Sequence, residues 1–175
     1  ILVNNTGGPA PGLASEATEE QFLSTFNQHL ICNHILMQAV VPGMKKAGYG
    51  RIINVISTSV KQPIPGLGVS NTIRAAVGNW AKTLSLELAP FGITVNNVLP
   101  GATYTGRLQS IIENKAVKQS QQLDEVEQHM LKEIPAGRFA LPEEVAYAIA
   151  FLASPAASYI NGINVPVDGG RTACL

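Results

Sequence analysis

The sequence predicts an α/β protein in which a doubly wound parallel sheet lies between two layers of helices. Two short runs rich in β-branched residues, Arg51–Ile56 and Ile93–Val98, have the pattern of parallel strands that are buried on both faces. Between them, apolar residues recur at spacings of three and four, as in an amphipathic helix; they are Ile73, Ala76, Val77, Trp80, Leu84 and Leu88. A strand, a helix and a second strand in this order form a βαβ crossover, which requires parallel strands.

A candidate ligand site follows from this arrangement, because ligands of open parallel sheets bind at the carboxyl ends of the strands. The loop Ser57–Ser59 follows the first strand, and the first turns of the next helix contain Ser70 and Arg74. Pro100-Gly101 ends the second strand, and the polar loop Thr103–Thr105 comes directly after it. We therefore expect these segments to surround one crevice.

The part of the chain before this unit contributes one strand and one helix. Ile1–Val3 is an apolar strand that runs into the turn-rich loop Asn4–Pro9. Thr18 and Gln21 have the spacing of a capping box, which predicts the start of a helix. That helix is expected to bury an apolar stripe before Pro42 disturbs it; the stripe consists of Phe22, Phe26, Leu30, Ile35 and Met37.

The part after it contributes helices and a last strand. Residues 106–137 are polar but keep some helical spacing, and we expect one or two helices that form a mobile lid over the crevice and select the substrate. A helix begins near Pro142, where acidic residues follow in the first turn. Ile163–Val167 is the final strand. We expect residues 1–175 to form a single domain.

Composition excludes several classes of partner. Twelve basic residues balance twelve acidic ones, so neither a nucleic acid nor an anionic membrane is expected to bind. Two distant cysteines, Cys32 and Cys174, argue against a disulfide framework or a metal site and favour the cytoplasm. The chain opens within an apolar strand and without a methionine, so we expect it to be part of a longer protein.

Several short motifs follow one another along the chain; they are Asn4-Asn5-Thr6-Gly7, Gly50-Arg51-Ile52-Ile53-Asn54, Ile93-Thr94-Val95-Asn96, Pro100-Gly101 with Thr105, Ile134-Pro135-Ala136-Gly137-Arg138, Pro142-Glu143-Glu144-Val145 and Asp168-Gly169-Gly170. Their order and spacing resemble the C-terminal two-thirds of the short-chain dehydrogenase/reductase family, most closely its 3-oxoacyl-carrier-protein reductases. The resemblance implies a Rossmann-like fold whose N-terminal βαβαβ half, with its glycine-rich phosphate turn, is not present in this chain.

The resemblance also implies ligands and an assembly. NAD or NADP would be the cofactor, and a small-molecule carbonyl or alcohol would be the substrate. Residues at family positions for cofactor binding are Asn4, Gly7, Ser70, Arg74, Pro100, Gly101, Thr103 and Thr105. A homotetramer or dimer is expected, in which the helices around residues 19–41 and 69–89 meet their symmetry mates through Trp80 and Leu84.

Only one of the family's four catalytic positions is kept. Ser57 matches the serine that polarises the carbonyl, but Ser70 stands where the proton-donating tyrosine belongs. Arg74 replaces the lysine that holds the nicotinamide ribose, and His29 replaces the asparagine that anchors a relay water. These three replacements put the usual chemistry in question.

Each replacement has a physical interpretation. The hydroxyl of Ser70 is too weak an acid and too short to act as the phenol does. Arg74 lies one helical turn from it, and its guanidinium can still donate to ribose hydroxyls. His29 is either a proton shuttle or a structural histidine, and Tyr104 is a phenol close enough in sequence to supply the proton from the opposite wall.

Two classes of function therefore remain open. The first is an NAD(P)-dependent oxidoreductase that uses an altered proton donor, or a substrate that needs none. The second is a dinucleotide-binding or structural relative that has lost the reaction. Retention of Ser57, Arg74 and the Pro100-Gly101 loop favours a cofactor site in both classes.

Overall fold

Four strands and six helices are found in the computed structural model, which describes residues 1–174. The strands are β1 (Leu2–Asn5), β2 (Gly50–Val55), β3 (Ile93–Pro100) and β4 (Asn164–Val167). The helices are α1 (Glu19–Phe26), α2 (Cys32–Ala47), α3 (Gly68–Leu88), α4 (Gly106–Gln119), α5 (Leu123–Lys132) and α6 (Pro142–Ala153).

The strands form one parallel sheet in the order β1-β2-β3-β4. Ile52 and Ile53 are adjacent on β2 and point to opposite faces, as pleating requires. Ile52 packs in a cluster with residues of α2 and α3, whereas Ile53 packs with residues of α6. The predicted three-layer α/β/α architecture is therefore confirmed.

A ladder of asparagine side chains crosses the sheet. Asn4, Asn54, Asn97 and Asn164 occupy the same register on the four strands. Each amide donates to the carbonyl of the next: Asn4 to Asn54 at 2.8 Å, Asn54 to Asn97 at 2.9 Å and Asn97 to Asn164 at 2.8 Å. Buried amides need such partners, because an unpaired polar group in a core is destabilising.

The helix before β2 differs from its prediction. Thr18 and Gln21 form the expected capping box, but the helix is interrupted by a π-helical segment, Asn27–Ile31, rather than by Pro42. Pro42 is exposed within α2, which continues to Ala47. Ile35 is 58% exposed and was the wrong core residue, because it lies two positions before the buried Met37 in α2 and therefore on the opposite side of the helix. Met37 is buried as expected, whereas Phe22, Phe26 and Leu30 are only half-buried.

The residues expected at a symmetric interface are in fact part of the core. Leu84 is buried against the sheet, and the half-buried Trp80 packs on the same cluster. Leu84 was therefore the wrong candidate, because its face of α3 covers the sheet, whereas an interface role for the half-buried Trp80 stays a prediction. The large apolar side chains that the two helical regions expose are instead Leu23, Ile35, Leu36 and Leu86.

The segment 106–137 contains two helices, α4 and α5, as one of the two expected arrangements had it. Leu108 and Ile134 pack with Phe139 in a small cluster beneath these helices. The mobility of the segment 106–137 stays a prediction. No helix among residues 1–174 is both long enough and apolar enough to cross a membrane.

We expect Asn54→Ala to lower the free energy of unfolding by about 2–5 kcal/mol, because it leaves partners on both neighbouring strands unpaired in the core. Urea denaturation measures this change. Asn164→Ala is the matched control: it removes the exposed end of the ladder and should cost less than half as much. Equal losses in the two variants would contradict a cooperative ladder.

Candidate functional site

A crevice of about 640 Å³ lies at the carboxyl ends of β1, β2 and β3, where the sequence predicted it. Its walls include the loop after β1, the first turns of α3 and the loop after β3, and α4 borders it on one side. Eight of the predicted site residues line this crevice together; they are Gly7, Ser57, Ser70, Arg74, Pro100, Gly101, Thr103 and Thr105.

Three predicted site residues lie elsewhere. Asn4 is buried in the asparagine ladder, and its neighbour Asn5 lines the crevice instead. His29 is buried in the π-helical segment behind the loop that follows β1. Tyr104 is 68% exposed and does not line the crevice.

Ser57 combines a structural contact with a free donor. Its Oγ accepts a hydrogen bond from the backbone N–H of Ser59 at 3.1 Å, which caps the short 3₁₀ turn Thr58–Val60. The hydroxyl hydrogen is not used in that contact, so it can donate to an oxygen in the crevice. The structure thus shows the turn-forming role and the crevice position in the same residue.

The position of Ser70 depends on a close approach of two loops. Gly68 begins α3, and its N–H donates to the carbonyl of Gly12 at 2.9 Å. A Cβ on Gly68 would lie 2.3 Å from the backbone nitrogen of Ala14, so only glycine fits there. The contact fixes the start of α3 and places Ser70 in its first turn, beside the crevice.

Arg74 joins the ends of two strands. Its Nη1 donates to the carbonyl of Val55 at 2.9 Å, and its Nη2 donates to the carbonyl of Thr6 at 3.3 Å. The residue is only 7% exposed, and its Nε has no protein partner within the described residues. Burial, together with the nearby charge of Arg107, lowers the pKa of Arg74 to about 10, so the guanidinium stays charged at neutral pH.

His29 is a neutral residue at physiological pH. Its Nδ1 shares a hydrogen bond with the hydroxyl of Thr6. Burial is the main cause that lowers the pKa of His29 to about 4, and Arg74 acts in the same direction, while the carbonyl of Gly7 opposes them. A neutral imidazole is not a resident acid at pH 7, although it can hold the Thr6 loop in place.

The hydroxyls after β3 are engaged locally. Thr105 caps α4 by accepting from the N–H of Leu108 at 3.4 Å, and Thr103 donates to the carbonyl of Gly101 at 3.2 Å. Gly101 itself is required, because a Cβ there would lie 2.7 Å from the Cβ of Asp168. These contacts hold the loop at the crevice edge.

Four basic residues that the sequence analysis did not single out also line the crevice; they are Arg107, Lys115, Lys118 and Arg171. Three of them share α4 at spacings of eight and three, which places them on one helical face. That spacing was the signal available in the sequence. Within residues 1–174 no cluster of three or more histidine, cysteine or acidic side chains could hold a metal ion.

A parallel sheet covered by helices on both faces, with a polar crevice at its carboxyl edge, defines a doubly wound, Rossmann-like α/β protein. The family model described as "Enoyl-(Acyl carrier protein) reductase" matches residues 1–172. The chain belongs to the short-chain dehydrogenase/reductase family.

Similar proteins include reductases from two bacteria. An NADPH-dependent reductase of Bacillus subtilis is 35% identical over 97% of this chain, and a 3-oxoacyl-carrier-protein reductase of Vibrio cholerae is 37% identical over 97%. The chain spans 66% and 65% of the lengths of these relatives. A crystal structure of an NADPH-dependent reductase involved in bacilysin biosynthesis superposes with a TM-score of 0.93 at 33% identity, covering 99% of this chain and 67% of that one.

We expect stability to fall as pH is lowered from about 6.5 to about 4 because of His29. Its folded pKa lies below the unfolded value of 6.5, so folding favours the neutral form. The stabilisation is complete above pH 6.5 and is lost towards pH 4, by up to about 3 kcal/mol. Urea denaturation across this range should show a shallower pH dependence in His29→Gln. His129→Gln, at an exposed histidine, is the control and should leave the pH dependence of the unfolding free energy as it is in the natural protein. If His29→Gln also left that pH dependence unchanged, His29 would not be its cause.

Proposed function

We propose that the protein is an NAD(P)-dependent oxidoreductase that acts on a small-molecule carbonyl or alcohol, with a proton route that does not use the family's tyrosine. The observation that supports this most is the convergence of Ser57, Ser70 and Arg74 on one crevice. The similar reductases named above support the reaction class.

The residues present fit the nicotinamide end of the cofactor. Arg74 has an unpartnered buried Nε beside the crevice, and Ser70 can donate a hydroxyl from one helical turn away. Gly7 leaves open space, because a Cβ there would meet nothing within 4 Å. A bound nicotinamide would supply or accept the hydride.

The protein groups would act on the oxygen of the substrate. As a hydride adds to the carbonyl carbon, the electron pair of the C=O bond moves onto oxygen. The free hydrogen of Ser57 and the charge of Arg74, which both border the crevice, would stabilise that developing negative charge. Because Arg74 is held by two backbone carbonyls, it needs little reorganisation to do so.

The proton would come from water that enters the crevice. None of the four tyrosines of the chain lines the crevice, and Ser70 is too weak an acid. His29 is neutral at pH 7 because its pKa is lowered to about 4, so it can accept or relay a proton but not supply one first. Such a route suits substrates whose reduced oxygen is weakly basic.

The second candidate is a cofactor-binding relative without catalytic activity. It is favoured by the engagement of Arg74 with backbone carbonyls, which gives this residue a structural role independent of turnover. In this case cofactor affinity would remain and no carbonyl substrate would be reduced.

Three accompanying properties are part of the proposal. Residues 1–175 form one domain, and the segment 106–137 acts as a substrate lid. The protein assembles as a homo-oligomer, a dimer or a tetramer, through exposed apolar residues such as Leu23, Ile35 and Leu36. It functions in the cytoplasm, where the free thiols of Cys32 and Cys174 remain reduced.

We expect Arg74→Ala to weaken dinucleotide binding by roughly ten- to a hundredfold, since a charged donor beside the crevice is lost. Calorimetric titration of the full-length protein with NAD(H) and NADP(H) measures the dissociation constants. Tyr104→Phe is a control at a residue outside the crevice and should change neither affinity nor activity. Unchanged binding in a folded Arg74→Ala protein would contradict the proposed role.

Restoring the tyrosine and the lysine of the family at positions 70 and 74 should raise the turnover rate. We expect the double variant Ser70→Tyr with Arg74→Lys to reduce unactivated ketones about 10²-fold faster than the natural protein, because a positioned general acid contributes roughly 10²–10⁴-fold. Single-turnover rates at saturating cofactor measure this step. Ordinary family rates in the natural protein, without a gain in the variant, would mean that another residue already donates the proton.

A further inference from the structure

The charges around the crevice are of one sign. Five of the twelve basic residues of the chain line it, and none of its lining residues is acidic. The chain as a whole has no net charge, so the positive charge is concentrated at this site. A cleft lined by one sign of charge raises the local concentration of the opposite ion.

Three of the five cations already have protein partners. Arg74 donates to two backbone carbonyls, Arg107 donates to the carbonyl of Pro9 at 2.9 Å, and Arg171 forms an ion pair with Glu133 at 2.7 Å. Within the described part of the chain, Lys115 and Lys118 have neither a hydrogen bond nor an ion pair. These two ammonium groups are therefore the uncommitted charges of the crevice.

The two lysines lie far along α4 from the loop Asn4–Pro9, which is expected to contact the cofactor. Arg107 is next to that loop, because a Cβ on Gly8 would lie 2.9 Å from its Nη2. At 1.5 Å of rise per residue, Lys115 and Lys118 are roughly 12 and 16 Å further along the helix. The crevice also has apolar lining residues, among them Ile64, Pro65 and Ile111.

We propose that the crevice takes a small-molecule substrate that carries a carboxylate or sulfonate group on an apolar body, and that Lys115 and Lys118 bind this group. The inference rests on the proposed function, because it names the substrate class of the same crevice. Like charges one turn apart repel each other, and a bound anion would relieve that repulsion.

The test compares an anion with its neutral analogue. Calorimetric titration of the full-length protein with 3-phenylpropanoate and with 3-phenylpropanamide separates charge from shape. We expect the carboxylate to bind about tenfold more tightly, and the double variant Lys115→Gln with Lys118→Gln to abolish that difference without changing the affinity for the amide. Lys132→Gln, on the exposed side of α5, is the matched control and should leave the preference intact.

Two results would overturn the inference. The first is equal affinity of the natural protein for the carboxylate and the amide. The second is a loss of dinucleotide affinity in the double variant with an unchanged preference for the carboxylate, since the lysines would then serve the cofactor. A preference for the anion combined with no turnover of any oxo acid would contradict the proposed function but not the anion site.

Discussion

The asparagine ladder is the constraint on which the sheet depends. Asn4, Asn54 and Asn97 are buried away from water, so the amide of each must find its partner on the adjacent strand. Asn4, Asn54, Asn97 and Asn164 do so only if the four strands keep one register. A slip by one residue would turn these amides to the other face and break every bond in the ladder. The carboxyl ends of β1, β2 and β3 are consequently fixed relative to one another, and the crevice is built on them.

The charged and neutral side chains at the carboxyl edge of the sheet influence one another's pKa values. Arg74 is surrounded by backbone carbonyls rather than carboxylates, so its charge is only partly compensated. That charge is one reason why His29 stays neutral, and Arg107 in turn lowers the pKa of Arg74. The three residues thus run from a neutral imidazole behind the loop to a charged guanidinium on α4.

The sequence predicted the sheet and most of the crevice because both depend on local patterns. Buried strands, a capping box and an amphipathic α3 are visible in periodicity, and the carboxyl edge of a parallel sheet then places Ser57, Ser70 and Arg74 together. Periodicity could not show that Leu84 faces the sheet rather than a partner, because both surfaces demand apolar residues. Nor could it show that Tyr104 lies outside the crevice, since the direction of a loop side chain is set by tertiary contacts such as the bond from its N–H to Ala140.

The π-helical segment has a consequence for the phase of the helix that contains it. Buried residues from Thr25 to Val41 recur at every fourth position, whereas an α-helix would carry such positions about 40° further round the axis at each step. The extra residue in the π turn cancels much of this drift, so His29 reaches Thr6 while Met37 still faces the sheet. Deleting one residue within 27–31 would remove the π turn and keep Met37 and Val41 facing the sheet, whereas a deletion in α2 before Met37 would rotate both by about 100°. The helix should therefore tolerate a change in length at the π turn better than in the α-helical part that follows it.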